Sequence, residues 1–132
     1  MAHAIVFVID DEQDNLDYIE AILNEAEYGV QTFTSGAVAL EKMKKTPPDM
    51  VLLDVQMPGM NGFQVLKAMQ TDEELKTIPV VFLSAIGAIT GIEYDSAEVE
   101  SRYGVRPNDF IPKPIDPDKI IAKIKKLINK GI

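Results

Sequence analysis

Residues 50–62 read Met50-Val51-Leu52-Leu53-Asp54-Val55-Gln56-Met57-Pro58-Gly59-Met60-Asn61-Gly62, and the order of residue types in this stretch decides the fold. Four apolar residues end on an acid, and Pro58, Gly59 and Gly62 then force the chain to turn. A run without polar alternation suits a strand buried on both faces, as in a parallel sheet. Further runs lie at Ile5–Ile9, Val30–Thr34 and Val80–Leu83, with a weaker one at Phe110-Ile111. Between them apolar residues fall at helical spacing: Leu16, Ile19, Leu23 and Ala26; Ala39, Leu40 and Met43; Phe63, Leu66 and Met69; then Ile120, Ile124 and Leu127 or Ile128. Ser35 reads as the N-cap of a helix over Gly36–Lys45, and Asp116-Pro117 as the cap and first residue of the last helix. Strand and helix therefore alternate. Five such units in one domain predict an α/β fold, a doubly wound five-stranded parallel sheet with helices on both faces. The stretch from Ala85 to Pro107 is the least regular: Ile86, Ile89 and Ile92 stand among Gly87 and Gly91, before a short helix expected to start at Asp95-Ser96-Ala97-Glu98 and end near Gly104.

A chain of 132 residues, 46% hydrophobic and 26% charged, is the size of a single domain. No apolar run approaches the ~20 residues of a membrane span, and the start MAHAIVFVIDDE lacks the basic flank and cleavage pattern of a signal peptide. A cytoplasmic protein with no membrane insertion is expected. The absence of cysteine excludes disulfides, thiolate nucleophiles and cysteine metal sites, and a lone histidine, His3, argues against zinc sites and Ser/His catalysis. Residues 1–112 carry 19 acids against 7 Lys or Arg, whereas residues 113–132 carry 2 acids against 6 Lys. Such an acidic body repels a phosphate backbone, so no direct nucleic-acid partner is expected. Lys119, Lys123, Lys125, Lys126 and Lys130 read as a solvated helix face whose cations suit the helix C-terminus.

In open α/β sheets the ligand site lies at the carboxyl ends of the strands. There the sequence places Asp10 and Asp11 after the first strand, Asp54 after the third, Ser84 after the fourth and Lys113 past the fifth. Two carboxylates ~5 Å apart repel by about 3 kcal/mol at an effective dielectric of ~20. A third facing both would leave a bare triad partly protonated near neutrality. A divalent cation resolves the conflict, and oxygen ligands without His or Cys point to Mg²⁺, with Mn²⁺ as the substitute.

These residues resemble the receiver domains of two-component response regulators. The resemblance runs through VIDDEQDN at 8–15, LLDVQMPGMNGFQVL at 52–66, LSA at 83–85 and DFIPKPID at 109–116, nearly the whole chain. It implies a flavodoxin-like sheet of strand order 2-1-3-4-5 and one receiver domain over residues 1–132. It also implies a switch that accepts a phosphoryl group on Asp54 from a phosphohistidine, supplied by a histidine kinase or histidine phosphotransfer protein, and relays the signal by docking to a downstream protein. The domain would catalyse only its own phosphorylation and dephosphorylation. By the same resemblance Asp11 binds Mg²⁺ directly, Asp10 binds it through water or assists, and the Gln56 backbone carbonyl is a further ligand beside Asp54. Ser84 and Lys113 bind the phosphoryl group, and Phe110 is the aromatic switch residue that turns inward as Ser84 moves.

Ser84 and Lys113 stand 29 positions apart, several more than is usual in the family, and the extra length falls within residues 86–107. Ile86, two residues past Ser84, is read as a rim residue whose bulk slows water access and dephosphorylation. A rival from another class is a Mg²⁺-dependent aspartyl-nucleophile phosphatase of haloacid-dehalogenase type. Such enzymes place a second Asp two residues after the nucleophile, where this chain has Gln56. A flavin or dinucleotide binder would need a G-x-G-x-x-G after the first strand, where Asp10-Asp11-Glu12 stands instead.

Overall fold

A strand that is apolar on both sides must be covered on both sides, and among the described residues two helices pack on each face. The computed structural model describes residues 4–55, 57–84 and 107–129, with Ser84 and Asn129 described by their backbone alone. The elements follow as β1 (Ile5–Ile9), α1 (Gln13–Glu25), β2 (Gly29–Phe33), α2 (Gly36–Lys45), β3 (Met50–Asp54), α3 (Gly62–Gln70), β4 (Val80–Ser84), β5 (Asp109–Pro112) and α4 (Pro117–Asn129). All neighbouring strands pair in parallel, in the order β2-β1-β3-β4-β5. This is the sheet and the strand order expected from the sequence. Gln56, Ile86, the helix expected from Asp95 to Gly104 and nearly all of the 86–107 segment lie outside the described residues.

Successive strand residues face opposite sides of the sheet, and the core divides accordingly. Phe7, Ile9, Val51, Leu53 and Phe82 pack with Ala39 and Met43 of α2 and with Val65, Leu66 and Met69 of α3. Val6, Val8, Met50, Leu52, Val81 and Leu83 pack with Leu16, Ile19 and Leu23 of α1 and with Ile120 and Ile124 of α4. Fully burying a side chain of this kind contributes about 1.5–3 kcal/mol, so these two layers, more than any polar contact, hold the sheet.

Helix starts follow local chemistry. Ser35 Oγ accepts the Val38 N–H at 3.4 Å, and Asp116 Oδ1 accepts the N–H groups of Asp118 and Lys119 at 2.9 and 3.3 Å. Both caps were legible in the sequence. Strand β2 begins at Gly29, one residue before the expected start, because Gly29 pairs with Ile5 of β1 and the ladder overrides the weak strand preference of glycine. Among the described residues, no helix is long and apolar enough to cross a membrane.

The register also sets the site. Ile9 of β1 pairs with Leu53 of β3, so the next residues, Asp10 and Asp54, emerge side by side. Adjacent strands lie ~4.8 Å apart, which forces the two carboxylates together. Strands β1 and β3 also flank the point where the strand order reverses, the place where open α/β sheets form a crevice.

Candidate functional site

Asp10 is 0% exposed and Asp54 is 5% exposed, and they are the buried charged residues among those described. Asp10 Oδ1 accepts the Glu12 N–H at 2.9 Å, while Oδ2 accepts from Lys113 Nζ at 3.0 Å and from Asn15 Nδ2 at 3.3 Å. Lys113 Nζ also donates to Asp54 Oδ1 at 3.2 Å. The lysine follows β5, which is separated from β3 by β4, and its long side chain carries one ammonium to two carboxylates. Asp11 stands at the same edge but is exposed. One oxygen from each of Asp10, Asp11 and Asp54 lies within 4.8 Å of the others.

The electrostatics follow from this count. Burial first, and then the Asp10 carboxylate, push Asp54 up from the ordinary 3.8 to about 6, although Lys113 pulls in the opposite direction. Both the repulsion and the ammonium at this edge were expected from the sequence; that Lys113 bonds Asp10 and Asp54 together was not. Burial pulls the Lys113 ammonium down, yet its bonds to Asp10 and Asp54 outweigh that and hold its pKa above the ordinary value. Three carboxylates against one ammonium leave a surplus of negative charge among oxygen donors. That donor set fits a hard divalent cation such as Mg²⁺.

The loop after β3 is held from two directions. Asn61 Oδ1 accepts the Gln64 N–H at 3.0 Å and Gln64 Oε1 accepts the Asn61 N–H at 2.8 Å, a reciprocal cap at the start of α3. The Asn-x-x-Gln spacing signals this cap, which the sequence analysis does not single out. Gly62 packs directly on the backbone of β3: a Cβ there would collide with the Asp54 carbonyl oxygen. Gly59, at φ 75°, occupies the left-handed conformation that the turn requires.

Phe110 is partly buried and meets Phe82 edge-on, with ring centroids 5.7 Å apart, and Phe82 meets Phe63 in the same way at 5.3 Å. The structure thus brings together Asp10, Asp11, Asp54 and Lys113, and places Phe110 in an aromatic row on the α2/α3 side of the sheet. Ser84 ends β4, pairing with Pro112 in the ladder one residue before Lys113. Asn15 was not singled out from sequence, because a polar residue in a first helical turn carries no signal of its partner.

The sequence matches the response regulator receiver domain family over residues 6–125. The chain belongs to this family. Among the relatives of this receiver domain, response regulator PleD of Caulobacter vibrioides is 34% identical over 128 residues, covering 94% of this chain and 26% of PleD. The chain therefore spans about a quarter of the length of the curated relatives it matches first. Among solved structures, the N-terminal domain of a response regulator receiver protein from Methanoculleus marisnigri JR1 is 30% identical, with a TM-score of 0.73 over 96% of this chain and 98% of that one. Chemotaxis protein CheY4 of Vibrio cholerae is 26% identical, with a TM-score of 0.82 over 96% of this chain and 99% of that one. The haloacid-dehalogenase reading finds no support in these matches.

Proposed function

We propose that this receiver domain, spanning residues 1–132 with its longer 86–107 segment, is a phosphorylation-dependent switch of two-component signalling in the cytoplasm. Its donor is a histidine kinase or a histidine phosphotransfer protein, and its output is docking to a downstream protein. The reading is carried by one observation: the Asp54 carboxylate is buried, bonded to Lys113 at 3.2 Å and clustered with Asp10 and Asp11.

In this reading an Asp54 carboxylate oxygen attacks the donor phosphorus in line. The O–P bond forms as the N–P bond of phosphohistidine breaks, and the imidazole nitrogen keeps the bonding pair and takes a proton from solvent. Phosphoryl transfer asks little covalent work beyond a positioned nucleophile and positioned charge, so the domain acts on itself and not on free phosphomonoesters. Asp10, Asp11, Asp54 and the Gln56 backbone carbonyl are the ligands for Mg²⁺ or Mn²⁺. When bound, the ion supplies positive charge against the repulsion between carboxylate and phosphoryl oxygens. Lys113 transfers its hydrogen bond from the Asp54 carboxylate to a phosphoryl oxygen, and the Ser84 hydroxyl takes another. Hydrolysis resets the site: water adds to phosphorus, the acyl phosphate O–P bond breaks, and carboxylate and inorganic phosphate are regenerated.

The phosphoryl group adds about −1.5 to −2 of charge. Two charge-assisted hydrogen bonds, to Ser84 and Lys113, are each worth about 1.5–3 kcal/mol. Their sum approaches the roughly 5.5 kcal/mol that moves an equilibrium from 1:99 to 99:1, enough to draw Phe110 inward. The test is incubation with Mg²⁺ and a small-molecule phosphodonor, read by intact mass. One labile phosphoryl adduct is expected, absent from Asp54→Asn and from a chelated sample. A folded, cation-binding chain that forms no adduct would refute the reading.

A further inference from the structure

We infer that Asn15 is a positioning residue whose side-chain amide, by orienting the buried Asp10 carboxylate, sets the affinity of the site for its divalent cation. This inference rests on the reading of Asp10, Asp11 and Asp54 as the cation site.

Asp10 is fully buried, and its two oxygens receive three donors. The Glu12 N–H holds Oδ1 from the backbone, so that oxygen is fixed by the start of α1. Oδ2 is shared between two side chains of different character, Lys113 at 3.0 Å and Asn15 at 3.3 Å. Lys113 also bonds Asp54, and its positive charge opposes the arrival of another cation. The Asn15 amide orients the same oxygen without neutralising it. It therefore keeps the carboxylate in place and leaves the negative surplus available to the ion. Without that amide, Oδ2 answers to the lysine alone and the carboxylate turns toward the competing ammonium.

The placement of Asn15 is itself rigid. It is the third residue of α1, next to Leu16, which is 1% exposed, and Ile19, which is 0% exposed; both anchor the helix to the sheet. Donors that orient a metal-binding carboxylate typically change affinity about 10–100-fold when removed. A merely structural amide would instead lower the stability of the fold and leave cation affinity unchanged.

The experiment titrates the full chain with Mn²⁺ and reads free Mn²⁺ by electron paramagnetic resonance, with unfolding curves in chelator beside each variant. Asn15→Ala keeps α1, because alanine is the strongest helix former, and should weaken Mn²⁺ binding by at least about tenfold. Asn15→Gln retains the amide donor and should remain within about threefold of the native chain, while Asp11→Asn should bind far more weakly than either. If Asn15→Ala fails to fold, Asn15→Ser, too short to reach Asp10, makes the same comparison. Binding by the Ala or Ser variant within about threefold of native, or by Gln as weak as by Ala, overturns the role of Asn15 while leaving the cation site standing. No uptake by the native chain, or native-like uptake by Asp11→Asn, overturns the cation site and this inference together.

Discussion

Replacing Asp54 by asparagine should stabilise the metal-free domain at neutral pH. Burial and Asp10 raise the Asp54 pKa from 3.8 to about 6, so the native state holds this proton more tightly than the unfolded chain does. Between those values the unfolded state has lost the proton while the native state retains it, and stability therefore falls as pH rises through the window. At ~1.4 kcal/mol per pKa unit, the ionised carboxylate costs the fold about 3 kcal/mol once the pH is above about 6. Asparagine is close to isosteric, its side-chain oxygen still accepts from Lys113, and it never ionises. In chelator at about pH 7.5, Asp54→Asn should exceed the native chain by about 2–3 kcal/mol, which at ~1.5 kcal/mol per molar is a rise of roughly 1.3–2 M in the urea midpoint. The gap should close below about pH 4, where Asp54 is protonated in both states, and added Mg²⁺ should narrow it at neutral pH by stabilising the native chain. Urea unfolding followed by circular dichroism across this pH range makes the measurement. Equal midpoints at neutral pH, or a gap that does not change with pH, would refute the charge argument.

Three further predictions concern the surroundings of Asp54. Lys113→Ala removes the ammonium shared by two buried carboxylates and should cost about 3 kcal/mol at neutral pH; adding Asp54→Asn should return at least about 1 kcal/mol, and strict additivity in urea unfolding would show that the pair is not coupled. Gly62→Ala should lose about 1–3 kcal/mol in the same assay despite the better helix propensity of alanine, because the Cβ meets the fixed Asp54 carbonyl. Phe110→Ala should cost about 2 kcal/mol through its edge-on contact with Phe82, keep phosphoryl uptake on Asp54 by intact mass, and lose discrimination between phosphorylated and unphosphorylated forms in partner binding. Equal loss of uptake and binding would count against a separate switching role for Phe110.

What could be read in advance tracks how local its cause is. The continuous apolar runs at Ile5–Ile9 and Val80–Leu83 announced buried parallel strands because each face of the sheet demands its own core. Ser35 and Asp116 announced helix starts because a cap acts within three residues. The reciprocal cap of Asn61 and Gln64 is equally local and was legible in principle. The aromatic row of Phe63, Phe82 and Phe110 joins an α3 residue to two strands, and no spacing along the chain encodes it. The position of Lys113 was foreseen, but its two hydrogen bonds, one to Asp10 and one to Asp54, depend on the order β3-β4-β5 and on the reach of one side chain across it.

That pair of hydrogen bonds explains how one site would serve both the resting and the phosphorylated states of the proposed switch. At rest the lysine offsets part of the repulsion that β1–β3 pairing imposes on Asp10 and Asp54, which keeps the fold stable with two carboxylates buried. It does not offset all of it, since Asp54 still stands at about 6, more basic than an ordinary carboxylate. In the metal-free site most of this carboxylate is nevertheless ionised above about pH 6, as a nucleophile must be. Once the phosphoryl group is on Asp54, the same ammonium sits beside a larger negative charge without travelling far. The energy released by that stronger pairing is available to reshape the surroundings, because the resting pairing was incomplete. A lysine that fully neutralised Asp54 at rest would give a more stable protein and a weaker switch.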